Sequence, residues 1–405
     1  MLHVVVMMDC FQTLCCYGYH ANNEQPTRAA ASGSFRSHGE YKKLTHYVGT
    51  NYWRDEMLYV GFKQFIVVYC SLILIVSYLF SGWFTVLFST PLHYVANNVP
   101  DLTGKFAVIT GANTGIGKFT ALHLARRRCH VIITTRNKIK GLATLEEIKS
   151  TLRREKLELI HDSSGDEMLS IEVLNLQDLR DVSRFSNSVM LKYKKKLDYL
   201  FLNAGIMMTP FDFTVDGFES QIATNHIGHF LIVKKWMRWI RRSGTRVISV
   251  SSSAHISTYP GGIDFNRISS NHNYSPRLAY GQSKLANILF SKELAVRLEG
   301  SNATSNAIHP GMVQSELGRH INMCSSFPCT IIAFPIFLLF ELAKMNTAIG
   351  SWTQVMVATT SKFGGSNGKL YCPMGIKTRG SKFASDEGLQ KKLWNSSEKW
   401  VSKYL

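Results

Sequence analysis

The sequence is short of acid. Its 405 residues carry 28 aspartates and glutamates against 46 lysines and arginines, a formal net charge of +18. Such an excess raises nucleic acid as a partner, but no nucleic-acid-binding motif accompanies it. The cations stand in small clusters, Arg126-Arg127-Arg128, Lys194-Lys195-Lys196 and Arg241-Arg242, near expected helix ends, where they suit the helix dipole and an anionic membrane surface. Cysteine is scarce as well. The 8 present include none at metal-ligand spacing: Cys15 and Cys16 are adjacent, and Cys324 and Cys329 lack neighbouring histidines. No metal site is expected, and the thiols read as reduced and structural. Internal repeats are missing, and the opening M-L-H-V-V-V-M-M lacks the basic residues of a cleaved signal peptide.

Charge is missing altogether from Phe65 to Phe88. At ~1.5 Å per residue this run spans a hydrocarbon core of ~30 Å with some tilt, so a transmembrane anchor is expected over 65–88. Residues 1–64 read as a poorly ordered N-terminal segment. A second apolar run, Phe327 to Phe340, is shorter and interrupted by Pro335; it reads either as a core helix or as an interfacial segment beside a substrate mouth. The 45% hydrophobic content supports one large domain of roughly 300 residues after the leader.

Beyond Pro100 short β-rich runs alternate with longer helical stretches. The strands expected are 106–110, 130–134, 169–174, 197–202, 246–250 and 303–308, with a surface insertion over 155–168. That alternation points to βαβ units and a mostly parallel sheet covered on both faces. The first strand runs into T-G-A-N-T-G-I-G, Thr110 to Gly117, and then into a helix. Glycines 111, 115 and 117 permit the tight turn and the close approach of a pyrophosphate, which the free N–H groups of the helix start would face. An acid about 20 residues on would mark an NAD site; Arg136 stands there instead, nineteen residues after Gly117, and a guanidinium suits the 2′-phosphate of NADP(H).

The stretch L-A-Y-G-Q-S-K-L-A-N, Leu278 to Asn287, places Tyr280 and Lys284 one helical turn apart on one face. Taken with T-G-x-x-x-G-I-G, N-A-G at Asn203 to Gly205 and the serine run Ser251 to Ser253, it resembles the short-chain dehydrogenase/reductase family. The spellings N-H-I-G-H-F (Asn225 to Phe230), S-S-S-A-H and H-P-G-M-V-Q-S-E-L (His309 to Leu317) resemble its retinol-dehydrogenase-like and WW-domain-oxidoreductase-like branch. The resemblance covers about residues 102 to 375.

It implies an α/β fold, a Rossmann-type doubly wound parallel sheet of about seven strands in the order 3-2-1-4-5-6 plus a seventh near Lys369 to Cys372, preceded by the transmembrane helix. The catalytic domain would span 100–380, with 381–405 a C-terminal tail. Tyr280 would be the acid/base, its phenol made acidic by Lys284 and the oxidised nicotinamide. Ser252 would bond the reacting oxygen, with Ser251 and Ser253 as near alternatives, and Asn225 would hold a water in the relay to Lys284. The cofactor-binding positions implied are Gly111, Asn113, Thr114, Gly115, Ile116, Gly117, Arg136, Asn175, Asn203, Ala204, Gly205, Pro310, Gly311, Val313 and Ser315, together with Tyr280 and Lys284. Two positions depart from the family pattern, Leu202 before the N-A-G and Asn175 where an aspartate is usual, and both bear on cofactor affinity.

The expectation is a membrane-anchored oxidoreductase moving a hydride between NADP(H) and a lipophilic alcohol/carbonyl such as retinol/retinal. Steroids and polyprenols are the next substrates, and a catalytically idle nucleotide-binding scaffold is the rival class. Expected partners are the lipophilic substrate, a membrane and a second copy in a homodimer, with no nucleic acid. The basic residues before the span point to a luminal catalytic domain, but the family resemblance points to a single-pass protein of the endoplasmic reticulum with its catalytic domain in the cytosol, and the latter is preferred.

Overall fold

Every residue of strand β1 (Phe106–Ile109) is buried. A strand with no polar face has to be covered on both sides. Phe106 and Val108 join one apolar cluster, and Ala107 and Ile109 join the other. The computed structural model describes residues 98–157, 167–313, 317–318 and 345–405, all within one of the chain's two compact units, Trp83–Ile321 with Ala343–Leu405. The expected N-terminal segment, the Phe65–Phe88 span, the Phe327–Phe340 run, Ser315 and most of the 155–168 insertion lie outside the described residues.

The remaining strands are β2 (His130–Thr135), β3 (Leu169–Val173), β4 (Tyr199–Leu202), β5 (Arg246–Val250), β6 (Thr304–Ile308), β7 (Leu370–Cys372) and β8 (Ile376–Thr378). They form one sheet in the order β3-β2-β1-β4-β5-β6-β7-β8. The expected 3-2-1-4-5-6 order is present, and the seventh strand lies where it was expected. Among the described residues the sheet has eight strands rather than about seven: β8 turns back from β7 and is the one antiparallel member. Strand order reverses between β1 and β4, which opens a crevice at the carboxyl ends of the strands, the place where such sheets bind ligands.

Helices α1 (Gly115–Ala125) and α2 (Lys138–Arg154) cover one face. Helices α3 (Leu179–Lys192), α4 (Gly228–Ser243) and α5 (Pro276–Arg297) cover the other, while α6 (Thr347–Thr359) returns to the first. Residues 381–405, read from sequence as a tail, contain α7 (Glu387–Val401), capped by Asp386, whose side chain accepts from Leu389 N at 2.8 Å. Its Leu393, Trp394 and Val401 are buried in the α3–α4–α5 core, and Trp394 stacks on Phe290 of α5. This segment is therefore part of the domain core, because its apolar residues recur at helical spacing and bury there.

Candidate active site

Helix α5 starts at Ser275, whose hydroxyl accepts from Leu278 N at 3.4 Å, with Pro276 in the first turn where its missing N–H costs nothing. From that start Tyr280 and Lys284 both point inward, each 3% exposed. Lys284 Nζ lies 5.6 Å from the Tyr280 ring centre and donates to the Val250 carbonyl at the end of β5 at 3.1 Å. Asn287, one turn further on, donates to the same carbonyl at 3.0 Å.

The three serines after β5 separate by burial. Ser251 is buried and spends its hydroxyl on the Lys284 carbonyl at 2.8 Å. Ser253 is exposed. Ser252, half-buried, caps the short turn Ser253–Ile256 and interacts with the Tyr280 phenol. Gly281 makes this meeting possible, for a Cβ there would collide with the Ser257 carbonyl oxygen and reach 2.7 Å from that of Ala254. Only glycine lets α5 lie this close to the turn that carries Ser252.

In the protein alone, burial sets the electrostatics of the pair. Burial pushes the Tyr280 phenol up to about 12, and Ser252 pulls the other way without prevailing. Burial also pulls the Lys284 ammonium down to about 8. Among the protein's own groups desolvation dominates, and the phenol is held neutral.

Asn225 sits in a π-turn, Ala223–Ile227, between the three-residue helix Ser220–Ile222 and α4. Its side chain locks Ile206 at both ends, accepting from its N–H at 2.9 Å and donating to its carbonyl at 3.0 Å, and it donates to Ser283 Oγ at 2.8 Å. Ser283 in turn donates to the Tyr280 carbonyl at 2.7 Å. A Cβ at Gly205 would come within 3.1 Å of Asn225 Oδ1 and 3.3 Å of Lys284 Nζ. Asn225, Gly205, Lys284, Tyr280 and Ser252 thus form one constellation. Gly281, Ser283 and Asn287 belong to it and escaped the sequence reading; a glycine inside a strongly helical stretch was the one signal that pointed to Gly281.

The glycine turn lies across the crevice. Gly111 and Gly115 have φ of +62° and +61°, and a Cβ on Gly111 would be 2.8 Å from Ala204. Gly117 is equally confined, 2.5 Å from Asn203 Nδ2 and 2.7 Å from the Gly111 carbonyl. Asn203 straps the turn by donating to the carbonyls of Thr110 at 2.9 Å and Gly111 at 3.1 Å. Thr114, the N-cap of α1, makes no side-chain capping bond, and the first turn holds no acid. An anion fits there, since the first N–H groups have no capping side chain and no competing carboxylate. The Asn113 carbonyl accepts from Thr144 at 2.8 Å and the Ile116 carbonyl from Thr120 at 2.7 Å, which fixes the turn from behind.

Arg136 is exposed at the end of β2 and donates to Gln177 Oε1 at 3.3 Å, and Asn175 accepts from Gln177 N at 3.2 Å, so the two predicted positions share a neighbour. Pro310, Gly311 and Val313 follow β6 and are half-buried; Val313 pairs with Met345, and Gly311 has a φ of +91°. These residues stand at the carboxyl ends of β1, β2, β4 and β6, and they would suit a dinucleotide.

A doubly wound parallel sheet with a glycine turn at its switch point and a buried tyrosine–lysine pair opposite defines a Rossmann-type α/β protein. Residues 105–266 match the family model described as short chain dehydrogenase. The chain is 37% identical over 305 residues to retinol dehydrogenase 14 of Homo sapiens, covering 74% of this chain and 86% of that one. It is also 37% identical over 297 residues to human retinol dehydrogenase 12, covering 73% and 86%. A crystal structure of an uncharacterized protein from Mycobacterium paratuberculosis superposes with a TM-score of 0.57 at 32% identity, covering 76% of this chain and 97% of that one. The chain belongs to the short-chain dehydrogenase family and is retinol-dehydrogenase-like, an oxidoreductase by that membership.

Proposed function

We propose that this chain is a membrane-anchored, NADP(H)-dependent oxidoreductase acting on a lipophilic alcohol/carbonyl pair, retinol/retinal first. The supporting observation is the convergence of half-buried Ser252 with buried Tyr280 and Lys284 beside Gly205. Tyr280 is the acid/base. With its phenol pushed up to about 12 it stays protonated near neutrality, ready to give its proton to a carbonyl oxygen as that oxygen gains charge. Ser252 bonds the same oxygen. Lys284, pulled down to about 8, is still mostly an ammonium at pH 7 and stabilises the phenolate left behind. Asn225 holds the Ile206 backbone and Ser283 in register with that pair. NADP(H), when bound, supplies the hydride acceptor or donor and, oxidised, a positive charge that favours the phenolate.

Arg136 supports the choice of NADP(H), and the retinol dehydrogenase relatives support a lipophilic substrate. Phe65–Phe88 is the anchor, with the catalytic domain facing the cytosol. Purified full-length chain is expected to oxidise NADPH with retinal faster than with a short-chain aldehyde, and Arg136→Asp to swing preference towards NADH by on the order of 2 kcal/mol. Equal use of both nucleotides by the unaltered chain discards the Arg136 assignment. Preference for a steroid or polyprenol moves the substrate, and no turnover with any member of the panel leaves the idle-scaffold reading in place.

A further inference from the structure

His229, on the first turn of α4, is 2% exposed and is used by none of the steps above. Both of its ring nitrogens are engaged. Nδ1 lies 3.1 Å from the Asn225 carbonyl oxygen and Nε2 lies 2.8 Å from Thr110 Oγ1. A carbonyl oxygen only accepts, so Nδ1 must carry a hydrogen. Thr110 Oγ1 already accepts from Asn203 N at 2.9 Å and Ala204 N at 3.0 Å, which fills both of its lone pairs. Its single remaining capacity is to donate; the Phe201 carbonyl lies within reach at 3.2 Å but already accepts from Thr110 N at 3.0 Å, so the hydroxyl hydrogen goes to the closer Nε2, which is the acceptor. One proton arrangement satisfies every group: neutral imidazole, Nδ1–H to Asn225, Thr110 O–H to Nε2. An imidazolium would overfill Thr110 and place a second cation near buried Lys284 and His226.

The ring thereby joins three parts of the site that no covalent neighbour links. Thr110 follows β1 at the start of the glycine turn, Asn203 and Ala204 belong to the turn that braces it, and Asn225 belongs to the π-turn next to Lys284. In the π-turn the Gly228 N–H reaches back to the Ala223 carbonyl five residues earlier.

We propose that His229, held as the Nδ1–H tautomer, is a positioning residue that couples the N-A-G turn to Asn225 and, through it, to the Tyr280–Lys284 pair. The proposal rests on the catalytic reading above, and its test separates the two. Long-range ¹⁵N–¹H correlation on the full-length chain, with His229 assigned by loss of its signal in His229→Gln, is expected to show a protonated Nδ1 and a bare Nε2 at pH 7. A protonated Nε2, alone or in an imidazolium, overturns the clamp, and this measurement does not depend on turnover.

In kinetics, His229→Phe is expected to lower kcat by about tenfold to a hundredfold, the range for small misplacements of reacting groups, with substrate KM changed far less. His229→Gln, whose amide offers an acceptor to Thr110 and donors to Asn225, should restore most of the loss. A merely structural histidine predicts less folded protein with normal kcat per folded site, and that result overturns the proposal, as does a failure of glutamine to outperform phenylalanine. Turnover missing from the unaltered chain sinks the catalytic reading instead, while the ¹⁵N spectrum still decides the clamp.

Discussion

At the residue scale the informative conflict is between burial and charge. Spacing alone puts Tyr280 and Lys284 on one helical face, and that much was legible in the sequence. The protonation energies were not, because desolvation depends on what the fold places around the pair. Similarly, Ser252 stood out among Ser251–Ser253 only after burial and partners were known, since neighbouring residues at a strand end point in different directions. Lys284 has a cost that can be measured. Its ordinary pKa of 10.5 falls to about 8 in the folded chain. Below pH 8 both states hold the proton and the folded state bears the desolvation, roughly 3 kcal/mol. Between pH 8 and 10.5 the unfolded chain binds more protons, so stability rises with pH. Above pH 10 the Tyr280 shift, from 10 to about 12, opposes the trend. Lys284→Met should therefore abolish turnover yet raise the melting temperature at pH 7 and flatten the rise between pH 8 and 10. The Val250 carbonyl keeps its Asn287 donor in the variant. A methionine variant that melts lower than the parent at pH 7 would contradict this.

At the element scale the strands and their order were readable because each is a short β-rich run separated from the next by a longer helical stretch, and β1 to β6 begin and end within two residues of the expectation. Three features fell outside the expectation. Strand β8 is three residues long and forms only against β7. The π-turn Ala223–Ile227 has no distinct sequence period. Helix α7 was set aside with the tail although Asp386 and the apolar spacing of Leu389, Leu393, Trp394 and Val401 announce it. The contact between α5 and the Ser253–Ile256 turn is the one that assembles the site, and Gly281 controls it. Gly281→Ala should force the two apart, costing about 1–3 kcal/mol of stability and a far larger share of turnover, because the Ser252 hydroxyl moves off the Tyr280 phenol. Turnover falling only in proportion to the folded fraction would show that the contact matters to stability alone.

At the scale of the whole molecule one three-layer α/β unit carries every described site residue, and its crevice opens where the strand order reverses. The two apolar faces make the sheet a rigid base, so Gly111, Gly205 and Val250 are fixed relative to one another by strand pairing from β1 through β4 to β5. The proposed anchor attaches this unit to a bilayer that stores the proposed substrate. The central claim is that Tyr280 moves the proton within this frame. Its most direct test compares the full-length chain with Tyr280→Phe, measuring NADPH binding by fluorescence and retinal reduction in the same preparation. The account predicts nearly unchanged nucleotide affinity and no measurable reduction; substantial reduction by the phenylalanine variant would contradict it.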